Sequence, residues 1–127
     1  MALNNECSLS GLYGAGIYHA SQACKAAQYA PAERKRVRIP DSNYDKVVNV
    51  KHILVSRVLL GDPQLARGTM NNLRRPAEKR AGGGVCYDSV IAAGGQAVAG
   101  WSQVHSEYIT YDRTQAYPEY LLYVVEK

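Results

Sequence analysis

The pattern of apolar and polar positions predicts a strand-rich domain with one short helix near its start. Residues 17–20 form a short apolar run, which indicates a strand, and residues 21–29 are rich in alanine and indicate a helix. Ser21 is a suitable N-cap for this helix, and Pro31 ends it. Residues 52–60 are almost continuously apolar and β-branched, which predicts a strand that is covered on both faces.

After the first helix, the sequence predicts two polar stretches and, near the C-terminal end, two strands. Residues 32–52 and residues 64–84 are polar and basic, which predicts a loop and a surface excursion. Residues 106–112 alternate with period two, residues 112–115 predict a turn, and residues 116–125 predict a closing strand. We therefore expect the last two strands to pair as an antiparallel hairpin. The sum is an α+β fold in one domain, without an internal boundary.

Composition and charge narrow the classes of protein. The chain has 127 residues, 46% of them hydrophobic, which fits one globular domain. Its net charge of +4 favours anionic partners such as nucleotides, and the basic run at residues 34–38 is either a solvated face or an anion-binding surface. Since no secretory leader or membrane-spanning run is evident, we expect an intracellular protein, cytoplasmic or nuclear, without a membrane partner.

The three cysteines, Cys7, Cys24 and Cys86, are an odd number without a close pair. This spacing argues against a disulfide framework and against a zinc site, so we expect a reducing compartment and no bound metal.

Residues 11–29 combine glycines with two tyrosines around the predicted strand and helix. Gly14 and Gly16 precede the strand, and a residue without Cβ lets the backbone pass close to a ligand. Tyr18 and Tyr29 flank the helix and can form the walls of a pocket for a flat aromatic ligand. Because the chain contains no phenylalanine, packing in the core is the alternative interpretation of both tyrosines.

Several motifs occur in the order in which one known family has them. They are Gly-x-Gly-Ile-Tyr, a short helix ending in tyrosine, Val-Leu-Leu-Gly, Asp-Ser-Val, Ser-Glu-Tyr-Ile-x-Tyr-Asp and Gln-Ala-Tyr-Pro-Glu-Tyr-Leu. Together they span residues 11–125 and resemble the catalytic domain of poly(ADP-ribose) polymerases, the last motif looking most like the tankyrase branch. The resemblance implies an ADP-ribosyltransferase-like fold: mainly antiparallel strands in two packed sheets, with one short helix after the Gly-x-Gly-Ile-Tyr strand.

The resemblance also implies an activity, the transfer of ADP-ribose from NAD to a protein acceptor with release of nicotinamide. It implies that Glu107 and Tyr18 are catalytic residues, that Tyr18 and Tyr29 hold the nicotinamide ring, and that Gly14 and Gly16 let the strand approach NAD. These residue types suit the chemistry. Cleavage of the bond to nicotinamide builds positive charge on the ribose, and a nearby carboxylate stabilises that charge.

Two departures from the family pattern bear directly on the site. The family has a His-Gly pair on a strand upstream of Gly-x-Gly-Ile-Tyr, but none of the 17 residues before Tyr18 is histidine. Ala26 stands where the family has a serine that bonds the nicotinamide amide. We therefore expect a domain that is N-terminally incomplete relative to the family, with a sheet edge open to a complementing segment or a second copy. His105, two residues before Glu107, is either a replacement histidine or an exposed loop residue.

Two other functions remain open from the sequence. The absent histidine favours a catalytically inactive module of the same fold that binds a nucleotide or a protein partner. The basic stretches at residues 34–38 and 74–80 favour a small nucleic-acid-binding domain. Since no nucleic-acid-binding motif accompanies them, we do not expect nucleic acid as a partner.

Overall fold

The computed structural model describes residues 11–38, 40, 44–95, 97–98, 101–102 and 104–125, which form nine strands, one α-helix and one 3-10 turn. Cys7 lies outside the described residues. The elements are β1 (Ile17–Ala20), α1 (Ala23–Tyr29), β2 (Ala32–Arg38), β3 (Asp45–Val58), β4 (Pro63–Leu65), β5 (Ser89–Ala92), β6 (Ala97–Val98), β7 (Trp101–Ser102), β8 (Glu107–Thr110), the 3-10 turn (Arg113–Gln115) and β9 (Ala116–Val125).

The first sheet contains the main hydrophobic core. Its strand order is β1-β8-β5-β4; β8 pairs antiparallel with β1 and with β5, whereas β4 runs parallel to β5. The buried residues of the core come from the sheet and from the segments that cover it: Tyr13, Ala66, Val90, Ala92 and Ile109. A tyrosine at the centre of this core fits a chain that has no phenylalanine.

The second sheet has the order β2-β3-β9 and is antiparallel throughout. The long strand β3 pairs with β2 along its first half and with β9 along its second half. The helix α1 contacts both β1 and β3, so it links the two sheets. β6 and β7 pair with each other in a separate two-stranded ladder. The fold class expected from the sequence is confirmed.

The predicted hairpin between the last two strands is wrong, because β8 belongs to the first sheet and β9 to the second. The turn between them explains the change of sheet. Asp112 and Gln115 form a capping box, and the Gln115 amide also donates to the carbonyls of Leu59 and Asp88. Because these bonds tie the turn to the end of β3 and the start of β5, the chain is redirected between the sheets.

The loop predicted for residues 32–52 is also wrong, since β2 and the first half of β3 occupy most of it. Charged residues are tolerated there because most side chains of this part of the ladder meet solvent. The strand predicted at residues 52–60 exists, but it is not covered on both faces. Val55 and Leu59, which directly follows β3, are exposed, and most side chains of the paired strand β9 are exposed as well.

Two local predictions need smaller corrections. The helix begins at Ala23 rather than at Ser21; Gln22 is its N-cap and makes no side-chain capping bond. Within the predicted surface excursion of residues 64–84, Met70 and Leu73 pack against the core of the first sheet. By contrast, the strand at residues 17–20 and the closing strand at residues 116–125 have the predicted bounds.

Candidate functional site

The strand register places Tyr18 and Glu107 on one face of the first sheet. Tyr18 lies opposite Ile109, and Ala20 lies opposite Glu107. Since residues two apart in a strand share a face, this is the face that carries the core. Glu107 is 8% exposed and lies at the end of the core, at the side that α1 covers.

Glu107 is held by a lysine from α1. The Nζ atom of Lys25 lies 3.3 Å from Oε1 of Glu107, and it donates a hydrogen bond of 3.3 Å to the Tyr29 hydroxyl. Burial lowers the pKa of Lys25, but the hydrogen bond to Tyr29 and the charge of Glu107 outweigh it, so the pKa is raised overall. A carboxylate, an ammonium group and a phenol therefore follow one another across this end of the sheet.

Motif reading missed Lys25, although the sequence contains a signal for it. Lys25 and Tyr29 are four residues apart on α1, a spacing that puts two side chains on the same face of a helix. The pairing with Glu107 itself depends on the packing of α1 against the sheet and has no local signature.

Tyr18 is fixed by its hydroxyl group. Its Oη accepts a hydrogen bond of 2.9 Å from the backbone N–H of Tyr13 and donates one of 2.9 Å to the carbonyl of Gly14. Burial raises the pKa of Tyr18 to about 12; the Tyr13 bond opposes this rise, and Glu107 and Tyr29 add to it. Tyr18 thus packs against the core, as the alternative interpretation expected, and it also feels the charge of Glu107.

Tyr29 has the opposite character, because it is 61% exposed. Packing in the core is therefore the wrong interpretation for this residue. The Lys25 ammonium lies 5.2 Å from the centre of its ring. Tyr29 consequently offers an accessible aromatic surface at the side of the Lys25–Glu107 pair.

Gly14 and Gly16 are buried against the protein's own atoms. Gly14 has a φ of +86°, and a Cβ at this position would collide with the backbone carbonyl of Leu73. A Cβ on Gly16 would collide with the side chain of Ile109 and crowd the backbone of Thr110. The close packing of the loop before β1 accounts for both glycines, and their role in approaching a ligand stays a prediction.

The three histidines occupy different surroundings. His105 precedes β8, and its Nε2 lies 3.8 Å from Sγ of Cys24 on α1. His19 faces away from Tyr18, as the alternation of the strand requires, and its Nε2 lies 3.0 Å from the Thr110 hydroxyl. Burial lowers the pKa of His19 to about 4, so its imidazole is neutral. His52 belongs to β3 in the second sheet.

Ala26 is buried in α1, and its methyl group can donate no hydrogen bond to a ligand. Cys24 and Cys86 are free thiols. Among the described residues there is no group of histidine, cysteine and acidic side chains that could hold a metal ion. None of the described helices is long and apolar enough to cross a membrane.

The arrangement has clear chemical capabilities. A carboxylate that is shielded from water stabilises positive charge on a ligand more strongly than an exposed one does, because water screens it less. An exposed phenol beside it can stack against a flat ring. The site therefore suits a ligand that joins an aromatic ring to a centre where positive charge develops.

A comparison with models of protein families supplies the classification. The model for the poly(ADP-ribose) polymerase catalytic domain matches residues 2–126, which is nearly the whole chain and includes every described strand and the helix. The chemistry of that family is ADP-ribosyl transfer. A match of this extent shows that the chain belongs to the poly(ADP-ribose) polymerase catalytic domain family.

Proposed function

We propose that this chain is an NAD-dependent ADP-ribosyltransferase that transfers ADP-ribose to a protein acceptor and releases nicotinamide. One observation carries the proposal. Glu107, to which the resemblance of the motifs assigns the role of the family's glutamate, is buried and ion-paired with Lys25 on the sheet face that also carries Tyr18. The family match over residues 2–126 supports the reaction class.

In this proposal Tyr29 and Tyr18 hold the nicotinamide ring of NAD. Tyr29 supplies an exposed ring for offset stacking. Tyr18 supplies a rigid wall, because both hydrogen-bonding functions of its hydroxyl are engaged by Tyr13 and Gly14. Gly14 and Gly16 keep the loop before β1 close to the sheet and so leave room for the ligand.

Glu107 acts on the ribose next to nicotinamide. As the bond from the sugar to nicotinamide breaks, positive charge develops on the ribose, and the carboxylate of Glu107 stabilises it. The same carboxylate can accept a hydrogen bond from a ribose hydroxyl and polarise the incoming acceptor. Lys25 keeps the carboxylate in position through the 3.3 Å ion pair.

The test is release of nicotinamide from NAD, together with automodification, by the purified chain and by Glu107→Gln. We expect the substitution to lower the rate by roughly 100-fold or more, the range found when one stabilising group of a transition state is removed. Glu119→Gln is the matched control, because Glu119 pairs with Arg57 in the second sheet. Equal effects of the two substitutions would contradict the role of Glu107.

A catalytically inactive module that binds a nucleotide is the second candidate. Ala26, at the position of the family's amide-bonding serine, favours it. In this case calorimetry detects saturable binding of NAD while no nicotinamide is released. Tyr29→Ala then weakens binding, because it removes the exposed stacking surface, and Glu107→Gln leaves nicotinamide release at its background value.

A further inference from the structure

A tyrosine that no motif marks holds the loop on which the position of Tyr18 depends. The Tyr111 hydroxyl donates a hydrogen bond of 2.6 Å to the backbone carbonyl of Tyr13. The backbone N–H of Tyr13 donates to the Tyr18 hydroxyl, which in turn donates to the carbonyl of Gly14. Tyr13 is therefore held between two phenol groups, and hydrogen bonds connect Tyr111 to the end of the Tyr18 ring.

The surroundings keep both phenol groups protonated. Tyr13 is completely buried, and Tyr18 and Tyr111 pack against the core that contains it. Burial raises the pKa of Tyr111 to about 12, and it also raises the pKa of Tyr18 to about 12. At neutral pH both hydroxyls can therefore donate, and a hydrogen bond shielded from water is costly to leave unmade.

Close packing leaves the hydroxyl end of Tyr18 little space in which to move. A Cβ on Gly11 would collide with the Tyr18 hydroxyl, and a Cβ on Gly16 would lie 3.4 Å from Cε1 of Tyr111. The N–H of Gly14 donates a hydrogen bond of 3.0 Å to the carbonyl of Gly11. Because this loop closes directly over the Tyr18 hydroxyl, the position of the ring depends on the position of the loop.

Tyr111 comes from the strand that carries Glu107. It directly follows β8, which begins at Glu107 and ends at Thr110. Glu107 and Tyr111 are four positions apart, so the alternation of the strand places both on the core face. The strand that supplies the carboxylate therefore also anchors the loop that fixes Tyr18.

We propose that Tyr111 is a positioning residue that holds the Tyr18 ring in place for the nicotinamide ring of NAD. This inference rests on the proposed function, in which Tyr18 is the rigid wall and Tyr29 the exposed one. A wall that is already ordered binds a flat ring more tightly, because no side chain has to be immobilised during binding. Since Tyr111 acts through Tyr13 and Tyr18, its loss should affect the nicotinamide end of NAD and spare the ADP-ribose end.

The experiment compares binding of the two products of the proposed reaction, nicotinamide and ADP-ribose, because neither is consumed. Titrations of the full chain followed by NMR give both Kd values. Tyr111→Phe keeps the ring in the core and removes the hydroxyl. We expect Kd for nicotinamide to rise about 5-fold, as for the loss of one hydrogen bond, and Kd for ADP-ribose to stay the same. Tyr117→Phe, which changes an exposed tyrosine of the second sheet, is the matched control and should change neither.

Hydrogen exchange tests the connection between Tyr111 and Tyr18 without a ligand. The N–H of Tyr13 should exchange faster in Tyr111→Phe than in the native chain, because the loop opens more often. The N–H groups of β3 in the second sheet are the reference. They should keep their exchange rates, whereas a general loss of stability would raise them too.

Gly11→Ala displaces the same ring from the loop side and decides the question if Tyr111→Phe does not fold. Its methyl group occupies the place of the Tyr18 hydroxyl, so nicotinamide should again bind more weakly and ADP-ribose equally well. Gly68→Ala is its control, because no atom lies within 4 Å of the added Cβ.

Three results would overturn the role of Tyr111 while the native chain still binds nicotinamide. They are an unchanged affinity for nicotinamide in Tyr111→Phe, an equal loss of affinity for both ligands, and an unchanged exchange rate at Tyr13. The proposed function survives each of them. A native chain that binds neither ligand would instead contradict the proposed function, and the role of Tyr111 in it would fall as well.

Discussion

A carboxylate as buried as that of Glu107 is costly unless a cation accompanies it, and Lys25 is that cation. The pair joins two elements, because Lys25 lies on the helix α1 and Glu107 lies on the strand β8. A change at Lys25 therefore acts on the position of Glu107, although Lys25 needs no contact with the reacting atoms. This makes Lys25 a positioning residue for the proposed reaction.

Replacing Lys25 tests whether the position of the Glu107 carboxylate limits the proposed reaction. We expect Lys25→Met to lower kcat for nicotinamide release at least 10-fold, because the carboxylate loses its partner, and to raise KM for NAD by a smaller factor, because Tyr29 loses the hydrogen bond to its hydroxyl. Lys25→Arg should restore most of kcat, since it keeps the charge. Lys79→Met is the control: it removes a lysine that pairs with Asp62 at the surface. A similar loss of kcat in Lys79→Met, or no rescue by arginine, would contradict the role of Lys25.

His19 predicts a loss of stability in acid. Burial lowers its folded-state pKa from 6.5 to about 4, so folding favours the neutral imidazole. The stabilisation that comes from keeping this imidazole neutral is complete above pH 6.5 and is lost as the pH falls toward 4. The full loss lowers the free energy of unfolding by an amount on the order of 3 kcal/mol. Denaturant titrations at several pH values should show this loss in the native chain. His19→Gln keeps a hydrogen-bond partner for Thr110 but cannot titrate. It should therefore lose less free energy of unfolding between neutral pH and pH 4 than the native chain does.

The acid prediction has a matched histidine in the second sheet. His52, on β3, contacts Lys35 of β2 and Tyr123 of β9 rather than the core of the first sheet. His52→Gln should therefore leave the acid loss of stability in place. If the native chain and His19→Gln lose the same free energy of unfolding between neutral pH and pH 4, the buried imidazole does not contribute.

The residues of the candidate site could be predicted from the sequence only where a motif marks them. Tyr18, Tyr29 and Glu107 occupy motif positions, and the strand register brings Tyr18 and Glu107 to one face. Lys25 could not be found in this way, because its pairing with Glu107 joins residues 82 positions apart in the sequence. The neutral state of His19 likewise depends on burial that a four-residue strand does not reveal.

At the scale of elements, the loop before β1 shows how one turn fixes the position of a strand. Gly14 adopts a left-handed conformation beside the carbonyl of Leu73, and that carbonyl accepts a hydrogen bond of 2.8 Å from the N–H of Ala15. Met70 donates its N–H to Leu12 in the same region. Backbone hydrogen bonds therefore connect the loop before β1 to the segment after β4. At Gly14 the two backbones lie so close that a side chain would not fit between them.

Gly14→Ala tests that junction. A left-handed conformation costs an alanine about 1 kcal/mol, and the collision with the Leu73 carbonyl adds about 1–3 kcal/mol. Gly82→Ala is the control: its φ is +73°, but no atom lies within 4 Å of the added Cβ, so only the first cost applies. Chemical denaturation should give the larger loss for Gly14→Ala. Equal losses would mean that conformation alone, without close packing, explains Gly14.

The local pattern of apolar residues predicted an element correctly where the sequence itself marks the ends of that element. β1 and β9 have the predicted bounds because their apolar runs are bracketed by glycine or by a turn. β2 was missed because its charged residues resemble a loop when read alone, and only pairing with β3 makes them a strand. The partner of β9 was missed because a capped 3-10 turn resembles a hairpin turn in sequence.

At the scale of the whole molecule, β9 is the feature that a single folded chain leaves unexplained. It is an edge strand of ten residues, and nearly all of its side chains are exposed. The exposed apolar residues of β9 are Tyr117, Tyr120, Leu121, Leu122, Tyr123 and Val125. Such a strand is a template for pairing with another strand. We propose that a complementing segment or a second copy of this chain pairs here.

We therefore expect the chain to associate with itself through β9, and a single charged residue placed in β9 to suppress this association. We expect light scattering to show a mass above that of one chain as concentration rises, and Leu121→Lys, in the middle of β9, to return the mass toward one chain. Leu65→Lys is the control, because Leu65 is also exposed (67% against 52% for Leu121) but lies in a strand of three residues. Nicotinamide release per chain should rise with the associated fraction if a partner completes the site. A native chain that stays monomeric at every concentration would show that β9 does not recruit a second copy, whereas a chain that associates with constant activity per chain would show that the partner does not complete the site.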